Sequence, residues 1–342
     1  MAPLRWLVLF ATCLRATAMA QGNVDVLDYE LARQLSPRAW GRIADLEPLG
    51  DSLLAVLDAY GPPFVSIIDL STGSETVAFG KKGQGPGELL GPHEVIRGIG
   101  PKHHIWVYDF NPRKFVRFDL DPVPTYRETI TLLRTAIITD PLWTPQGLVA
   151  GGLLFDSALV LVSDSQMRGS LRFVGTRPYR REDVEPQAFM QANEYLIALS
   201  PDRSKMALAF KYAPEVQVID IASLTVVHRF DTPAEVGFPR TLTGAGMTMF
   251  ALQNSDVAFV AGMAATQQGV WVAYCGCKGT QLIGATAPGV QKLQYYDWNG
   301  GFRKEVDLHR SISALAASAD GSRLYVGVLD PEPMVLELRR HR

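Results

Sequence analysis

His93, Glu94, His103 and His104 lie close together in the chain, and imidazole and carboxylate are the groups a divalent metal takes as ligands. A metal needs several of them to converge. His103 and His104 are consecutive on the approach to a strand, where neighbours point to opposite faces, so one ion does not take both. They read as surface histidines. Cys275 and Cys277 stand two apart; they can close a small strained disulfide ring or remain two thiols, and with no His or further Cys beside them they do not complete a zinc site. Gly83-x-Gly85-x-Gly87 resembles a phosphate cradle only in its glycines. No Lys-Ser/Thr follows, no helix opens after it, and Pro86 removes a backbone N–H that a cradle would use. The serine nucleophile elbow Gly-x-Ser-x-Gly is absent from the chain. The expectation is therefore no catalytic set, no resident metal and no cofactor.

The elements that would carry these residues are strands. Short runs rich in Val, Ile, Phe, Tyr and Trp, bounded by Gly, Pro, Asp or Ser, recur from Leu53-Leu-Ala-Val-Leu57 to Val335-Leu-Glu-Leu338. No amphipathic helix of three or more turns stands out; the best stretch, Asp183 to Tyr195, is interrupted by Pro186 and reads as an exposed connection with a turn or two of helix. Two units repeat. Leu199-Ser-Pro-Asp-Arg-Ser lines up with Ala317-Ser-Ala-Asp-Gly-Ser, each a tight reversal held by Asp ahead of a strand, with Thr144-Pro-Gln-Gly a looser copy. Asp69, Asp220 and Asp297 each end a strand at the same place in a hairpin, which makes them turn caps rather than catalytic carboxylates. Counting the units predicts six blades, spanning Arg42–Phe79, Glu94–Ile130, Pro141–Val174, Gln191–Thr232, Phe250–His309 and Ser311–Leu338. The alternating stretch Val24 to Leu31 is expected to supply the outer strand of the last blade, closing the ring and hiding its strand edges.

Composition permits this. Of 342 residues, 47% are hydrophobic and 20% charged, enough to bury a large core. The formal charge is −2, and the short Arg177…Arg181 cluster is neutralised by Glu182, Asp183 and Glu185. Without a concentrated basic field, nucleic acid is excluded as a partner. Arg5, the apolar run from Trp6 and Ala18-Met-Ala20 read as a secretory signal peptide over residues 1–20, cleaved after Ala20; the apolar run is too short to span a membrane. Residues 21–342 are then one exported domain, expected to be a monomer.

Gly80-x-x-Gly83-x-Gly85-Pro86-Gly87-Glu88, then Ile105-Trp106-Val-x-Asp109 and Phe118-Asp119, resembles the secreted bacterial six-bladed β-propellers related to NHL-repeat and TolB-like proteins. The motif-level match covers residues 79–120. It implies a six-bladed β-propeller of four-stranded antiparallel blades, export, and little about activity. The Gly-rich segment reads as an inter-blade connection that needs positive φ at several glycines, with Glu88 bonding exposed N–H groups.

Function is expected to lie in recognition of a protein or carbohydrate through the rim loops and channel mouth, with the insertion Gly276–Gly289 and the segment Thr176–Tyr195 as contact surfaces. Glu94, Asn193, Glu194 and Asn254 precede inner strands and are the candidate channel-lining polar groups. The alternative is a lactonase-like or amidating-lyase-like propeller enzyme with Ca²⁺ or Zn²⁺ in that channel. Tyr295-Tyr296-Asp297-Trp298 beside Arg303 offers aromatics for sugar stacking, but aromatics at alternating strand positions more commonly pack between blades.

Overall fold

Almost every described residue lies in a strand or in a short connection between strands; inner strands such as His104–Asp109 are buried on both faces, whereas outer ones such as Thr125–Thr131 are exposed. In the computed structural model these residues are 29–36, 38–100, 103–132, 138–152, 160–163, 172–177, 193–211, 213–232, 240–244, 247–251, 256–257, 260–274, 277–278, 292–329 and 332–340. The chain opens on β1 (Tyr29–Leu35), then runs through β2 (Ile43–Pro48), β3 (Leu53–Asp58), β4 (Val65–Asp69) and β5 (Ser74–Phe79). Next come β6 (Pro92–Arg97), β7 (His104–Asp109), β8 (Lys114–Asp119) and β9 (Thr125–Thr131), then β10 (Ile138–Thr144), β11 (Gly147–Gly152), β12 (Val160–Ser163) and β13 (Arg172–Val174). They are followed by β14 (Tyr195–Leu199), β15 (Lys205–Phe210), β16 (Glu215–Asp220) and β17 (Thr225–Asp231). A hairpin of β18 (Arg240–Gly244) and β19 (Met247–Ala251) and the short β20 (Asp256–Val257) precede β21 (Val260–Ala265) and β22 (Gly269–Tyr274). The chain ends with β23 (Cys277–Lys278), β24 (Lys292–Asp297), β25 (Phe302–Asp307), β26 (Ile312–Ala317), β27 (Arg323–Val328) and β28 (Met334–Arg340).

Each four-stranded antiparallel sheet is a blade: β2 to β5, β6 to β9, β10 to β13, β14 to β17, then β21-β22-β24-β25, and last β26-β27-β28-β1. The first strand of every blade packs on that of the next, from β2 through β6, β10, β14, β21 and β26 back to β2. Apolar clusters fill the seams. Trp106 meets Trp143 at 5.4 Å across one, Phe230 meets Tyr296 at 4.8 Å across another, and Ala314, Ala316 and Tyr325 of the last blade share a core with Ile43, Leu54 and Ile68 of the first. The fold is a β-propeller whose core is divided among its seams. Tyr295, Tyr296 and Trp298 are buried in two of these clusters, so the aromatic run packs blades together as its alternation suggests.

The turns are built by short polar side chains. In Ser200-x-Asp202-x-Ser204, the Asp202 carboxylate accepts from Ser200 Oγ at 2.6 Å and Ser204 N at 3.0 Å; Asp320 accepts from Ser318 Oγ at 2.7 Å and Ser322 N at 3.0 Å in the same way. Thr266 repeats the Thr144 turn, a copy that sequence comparison missed. Asp69, Asp220 and Asp297 each accept backbone N–H groups of their own turns. Asp58 and Asp109 form a different repeated device. Each ends the second strand of its blade and clamps two N–H groups just before the first: Asp58 accepts from Gly41 and Arg42 at 2.8 and 2.9 Å, Asp109 from Leu90 and Gly91 at 2.8 and 2.7 Å. Asp109 is fully buried with Lys114 Nζ 3.9 Å away. Asp109→Ala would strand two donors and leave the Lys114 ammonium with the Glu88 carbonyl but no counter-charge; urea unfolding should show a loss of about 2–4 kcal/mol, against a negligible change for exposed Asp51→Ala.

The Gly-rich connection differs from expectation in its glycines. Positive φ occurs at Gly80 and Gly87, not at Gly83 or Gly85. At Gly83 a Cβ would meet only the Glu88 carboxylate, which accepts the Gly85 N–H at 2.8 Å, so a side chain there would displace Glu88 from that bond. Of the expected strand Val24–Leu31, residues 24–28 lie outside the described residues; Tyr29, Glu30 and Leu31 open β1, which runs on to Leu35. A register shift between Leu31 and Arg33 breaks the alternation, leaving Leu31 exposed and Leu35 buried. His104 is buried, not a surface residue, because it opens β7 against Gly98. Phe250 belongs to the β18–β19 hairpin rather than to the fifth blade, which begins at Val260. Residues 1–20, Cys275, Asn254, most of the Gly276–Gly289 insertion and residues 178–192 lie outside the described residues; Cys277 pairs in β23 with β20.

Candidate functional site

Where the first strands of the blades converge they enclose a cavity of about 820 Å³. Bulges shape its wall. Register shifts fall between Ile43 and Asp45 in β2, Pro92 and Glu94 in β6, Thr139 and Leu142 in β10, Val260 and Gly262 in β21, and Ile312 and Ala314 in β26. A bulge places two residues opposite one and re-aims their side chains. Of the inserted residues, Ala44, His93, Asp140, Pro141 and Ser313 line the cavity.

The wall has two halves. Strands β2, β6 and β10, with Arg203 in the turn after β14 and Lys211 just after β15, contribute Asp45, Glu47, His93, Glu94, Arg97, Asp140, Arg203 and Lys211. Strands β21 and β26 contribute Val260, Met263, Ala264, Ile312, Leu315 and Ala316. On the polar half, Asp45 Oδ2 accepts the Val95 N–H of the neighbouring blade at 2.8 Å, and Glu94 Oε1 accepts the Asp140 N–H at 2.8 Å. The carboxyls therefore tie three successive blades together while facing the cavity. Arg203 sits in left-handed backbone and donates to the carbonyls of Trp143, Arg97 and Gly98, so its charge is largely absorbed by the wall. Arg97 lies 3.8 Å from Glu47, and Lys211 3.3 Å from Glu194. Among the described residues, no lysine or arginine comes within ion-pairing distance of Asp45 or Glu94; Glu94 has only His93 Nδ1 at 3.1 Å.

Burial is the main influence on these acids. It pushes Glu94 up to about 8, against the pull of the Asp140 N–H and Lys211. It pushes Glu47 up to about 7, against Arg97 and Arg203. Asp45 is raised well above the usual carboxylate range by burial and by the neighbouring Glu94, against the bonds from Val95 and Leu46. Such a wall favours the protonated acids and gains most from a cation brought beside them.

Of the residues expected to line the channel, the structure places Glu94 there. Asn193 is buried outside the cavity lining, and Glu194 reaches the wall only through Lys211. Asp45, Glu47, Arg97 and Arg203 were not picked out by sequence reasoning. The signal available was that Asp45 and Glu94 each stand two or three residues into the first strand of consecutive blades. Gly80 to Glu88 and Asp109 sit at the junction before β6, and Trp106 in the seam with the third blade.

No protein-family model matches the chain, and no curated protein matches it. Among solved structures it is similar to a Bacteroides fragilis protein named as exported, at 10% identity over 94% of this chain and 97% of that one, with a TM-score of 0.59. It is similar also to the WD40 repeats of RRP9, at 11% identity, 92% and 100% coverage and a TM-score of 0.58, and to U3-55K, at 11%, 91%, 98% and 0.56. Likeness at these identities shows the β-propeller fold alone. Among the described residues no helix is long and apolar enough to cross a membrane.

Proposed function

We propose that the chain is an exported, monomeric β-propeller of the NHL and TolB-like kind, and that it binds a protein partner at the mouth of its central channel. In this reading the six four-stranded sheets are all of its blades, in one domain over residues 21–342 after removal of the leader. The strands β18, β19, β20 and β23 are decorations at the fifth blade. The continuous packing of first strands around the ring supports that count. The observation that carries the functional reading is the two-sided wall: the Asp45 and Glu94 carboxyls, with no lysine or arginine within ion-pairing distance among the described residues, opposite an apolar surface of Met263 and Leu315. That pairing suits an amine on an aliphatic stem, which a lysine side chain of a partner protein provides.

The test uses peptides carrying lysine or norleucine at one position, titrated into the protein. Lysine peptides should bind, and Glu94→Gln together with Asp45→Asn should weaken them at least tenfold without changing the circular dichroism. Equal binding of norleucine peptides would overturn the reading. Among the described residues no group of three or more His, Cys, Asp and Glu is placed to hold a metal, so no observation favours the Ca²⁺- or Zn²⁺-dependent hydrolase or lyase over binding.

A further inference from the structure

The central channel has two mouths, and they differ in chemistry. At the mouth where the first strands begin, the connection from the second strand to the third turns back over the entry to the first. The Ala59 N–H donates to the Arg42 carbonyl at 2.9 Å, Phe110 to Gly91 at 3.1 Å and Leu329 to Ser311 at 2.9 Å. In three consecutive blades, the last, the first and the second, this connection carries a large apolar side chain turned to solvent: Leu329 is 38% exposed, Tyr60 71% and Phe110 39%. Leu329 lines the cavity itself, as do Ala59 and Arg42 beside Tyr60. Phe110 lies against His93, another lining residue, with ring centroids 5.8 Å apart. Apolar side chains scattered singly over a surface are ordinary; the same connection repeating them around one cavity mouth is the pattern of a contact surface. The cations of this mouth are drawn to its wall: Arg42 stands over the Tyr60 ring at 5.8 Å, and Lys211 pairs with Glu194 at 3.3 Å.

Depth separates the two mouths as well. In β6, Glu94 stands two residues past Pro92, no more than about 7 Å along the strand, and Arg97 lies three residues deeper. From the opposite mouth an ammonium meets Arg97 and Glu47 before it reaches Glu94, and with them Arg203, which donates to the carbonyls of Trp143, Arg97 and Gly98. From the mouth where the first strands begin, a lysine stem of four methylenes covers the depth to Glu94. The backbone carrying that lysine then rests at the rim, and the side chains on either side of it fall on Tyr60, Phe110 and Leu329.

Given that a lysine enters the channel, we propose that the partner docks on the mouth where the first strands begin, through an extended segment in which apolar side chains flank that lysine. The carboxyls inside take the amine, and the rim takes its neighbours.

The test is titration of three blocked peptides into the protein: Gly-Leu-Lys-Leu-Gly, Gly-Ser-Lys-Ser-Gly and Gly-Leu-norleucine-Leu-Gly. The leucine-flanked lysine peptide should bind about fivefold more tightly than the serine-flanked one. Tyr60→Ser and Phe110→Ser should each cut that preference to about twofold or less. Tyr60→Ser keeps the backbone N–H that bonds Asp58 Oδ1 and removes a ring that lies mostly in solvent, so its melting temperature should match that of wild type. Ile99→Ser, at an exposed residue in the connection after β6 at the opposite mouth, should leave all affinities unchanged. Equal binding of the two lysine peptides, a preference kept in both rim variants, or a preference lost in Ile99→Ser overturns the proposal and leaves a lysine in the channel untouched. If the norleucine peptide binds as tightly as the leucine-flanked lysine peptide, the channel reading fails and the proposal with it.

Discussion

Glu337→Ala is expected to lower the unfolding free energy by about 3–5 kcal/mol, the loss typical when one partner of a buried charge network is removed. The reason lies in how the ring is closed. The strand β1 comes from the start of the chain and pairs with β28 at its end. Its Arg33 reaches past that pairing to the Leu70 and Ser71 carbonyls of the first blade, so one side chain spans the closing seam. Glu337 orients Arg33 from below and does the same for Arg339. Without it, Arg33, Arg323 and Arg339 repel one another with no carboxylate between them. The arginines hold the Glu337 carboxyl below its ordinary value despite burial. A carboxyl lowered in the folded state contributes its full stabilisation above the unfolded value and loses it as the pH falls through the folded value. Wild type should therefore lose stability below about pH 4.5 more steeply than Glu337→Ala. Urea unfolding at pH 7 and pH 3.5 measures both effects. A change under about 1 kcal/mol at pH 7 would mean that backbone pairing alone holds the ring shut.

What the sequence disclosed follows from what it encodes locally. The Ser-x-Asp-x-Ser turns at Ser200 and Ser318 were legible because their hydrogen bonds stay within five residues, and the two copies carry the same side chains at the same spacing. The start of the fifth blade was not legible: Phe250 sits in a strand-rich hairpin that precedes the sheet beginning at Val260. Asp109 was visible as part of a motif, but its role was not, because its partners Leu90 and Gly91 precede it by a whole hairpin. The channel wall was hardest to read. A strand with strict alternation announces which side chains face inward, whereas each bulge at Ala44, His93 or Ser313 shifts the phase by one residue. Glu94 could still be chosen from its place before a strand, but Asp45 could not, since the partner that makes it part of the wall, Val95, belongs to the next blade. Arg33 and Glu337 are 304 residues apart, a pairing no local pattern announces.

Lysine-peptide affinity should rise with pH, by up to tenfold per unit below about 8, the value to which burial pushes Glu94. Below it the carboxyl is protonated and a cation must displace that proton; above it the charge stands ready. The same proton affinity has the opposite effect on the empty protein. A carboxyl raised in the folded state is most compatible with folding when protonated, so stability falls as pH climbs from the unfolded value through the folded one. For Glu94, raised from 4.5 to about 8, the cost at high pH is on the order of 5 kcal/mol, with Glu47 adding to it in the same direction as it ionises near 7. Glu94→Gln keeps an oxygen to accept the Asp140 N–H but cannot ionise. It should flatten both curves, giving weak binding at every pH and greater stability than wild type at pH 9. Urea unfolding and peptide titration across pH 5–9 test the two halves together. Affinity that stays level with pH in wild type would show that the peptide amine does not meet this carboxyl. Parallel stability curves for wild type and Glu94→Gln would show that water solvates Glu94 in the empty channel well enough to leave its proton affinity ordinary.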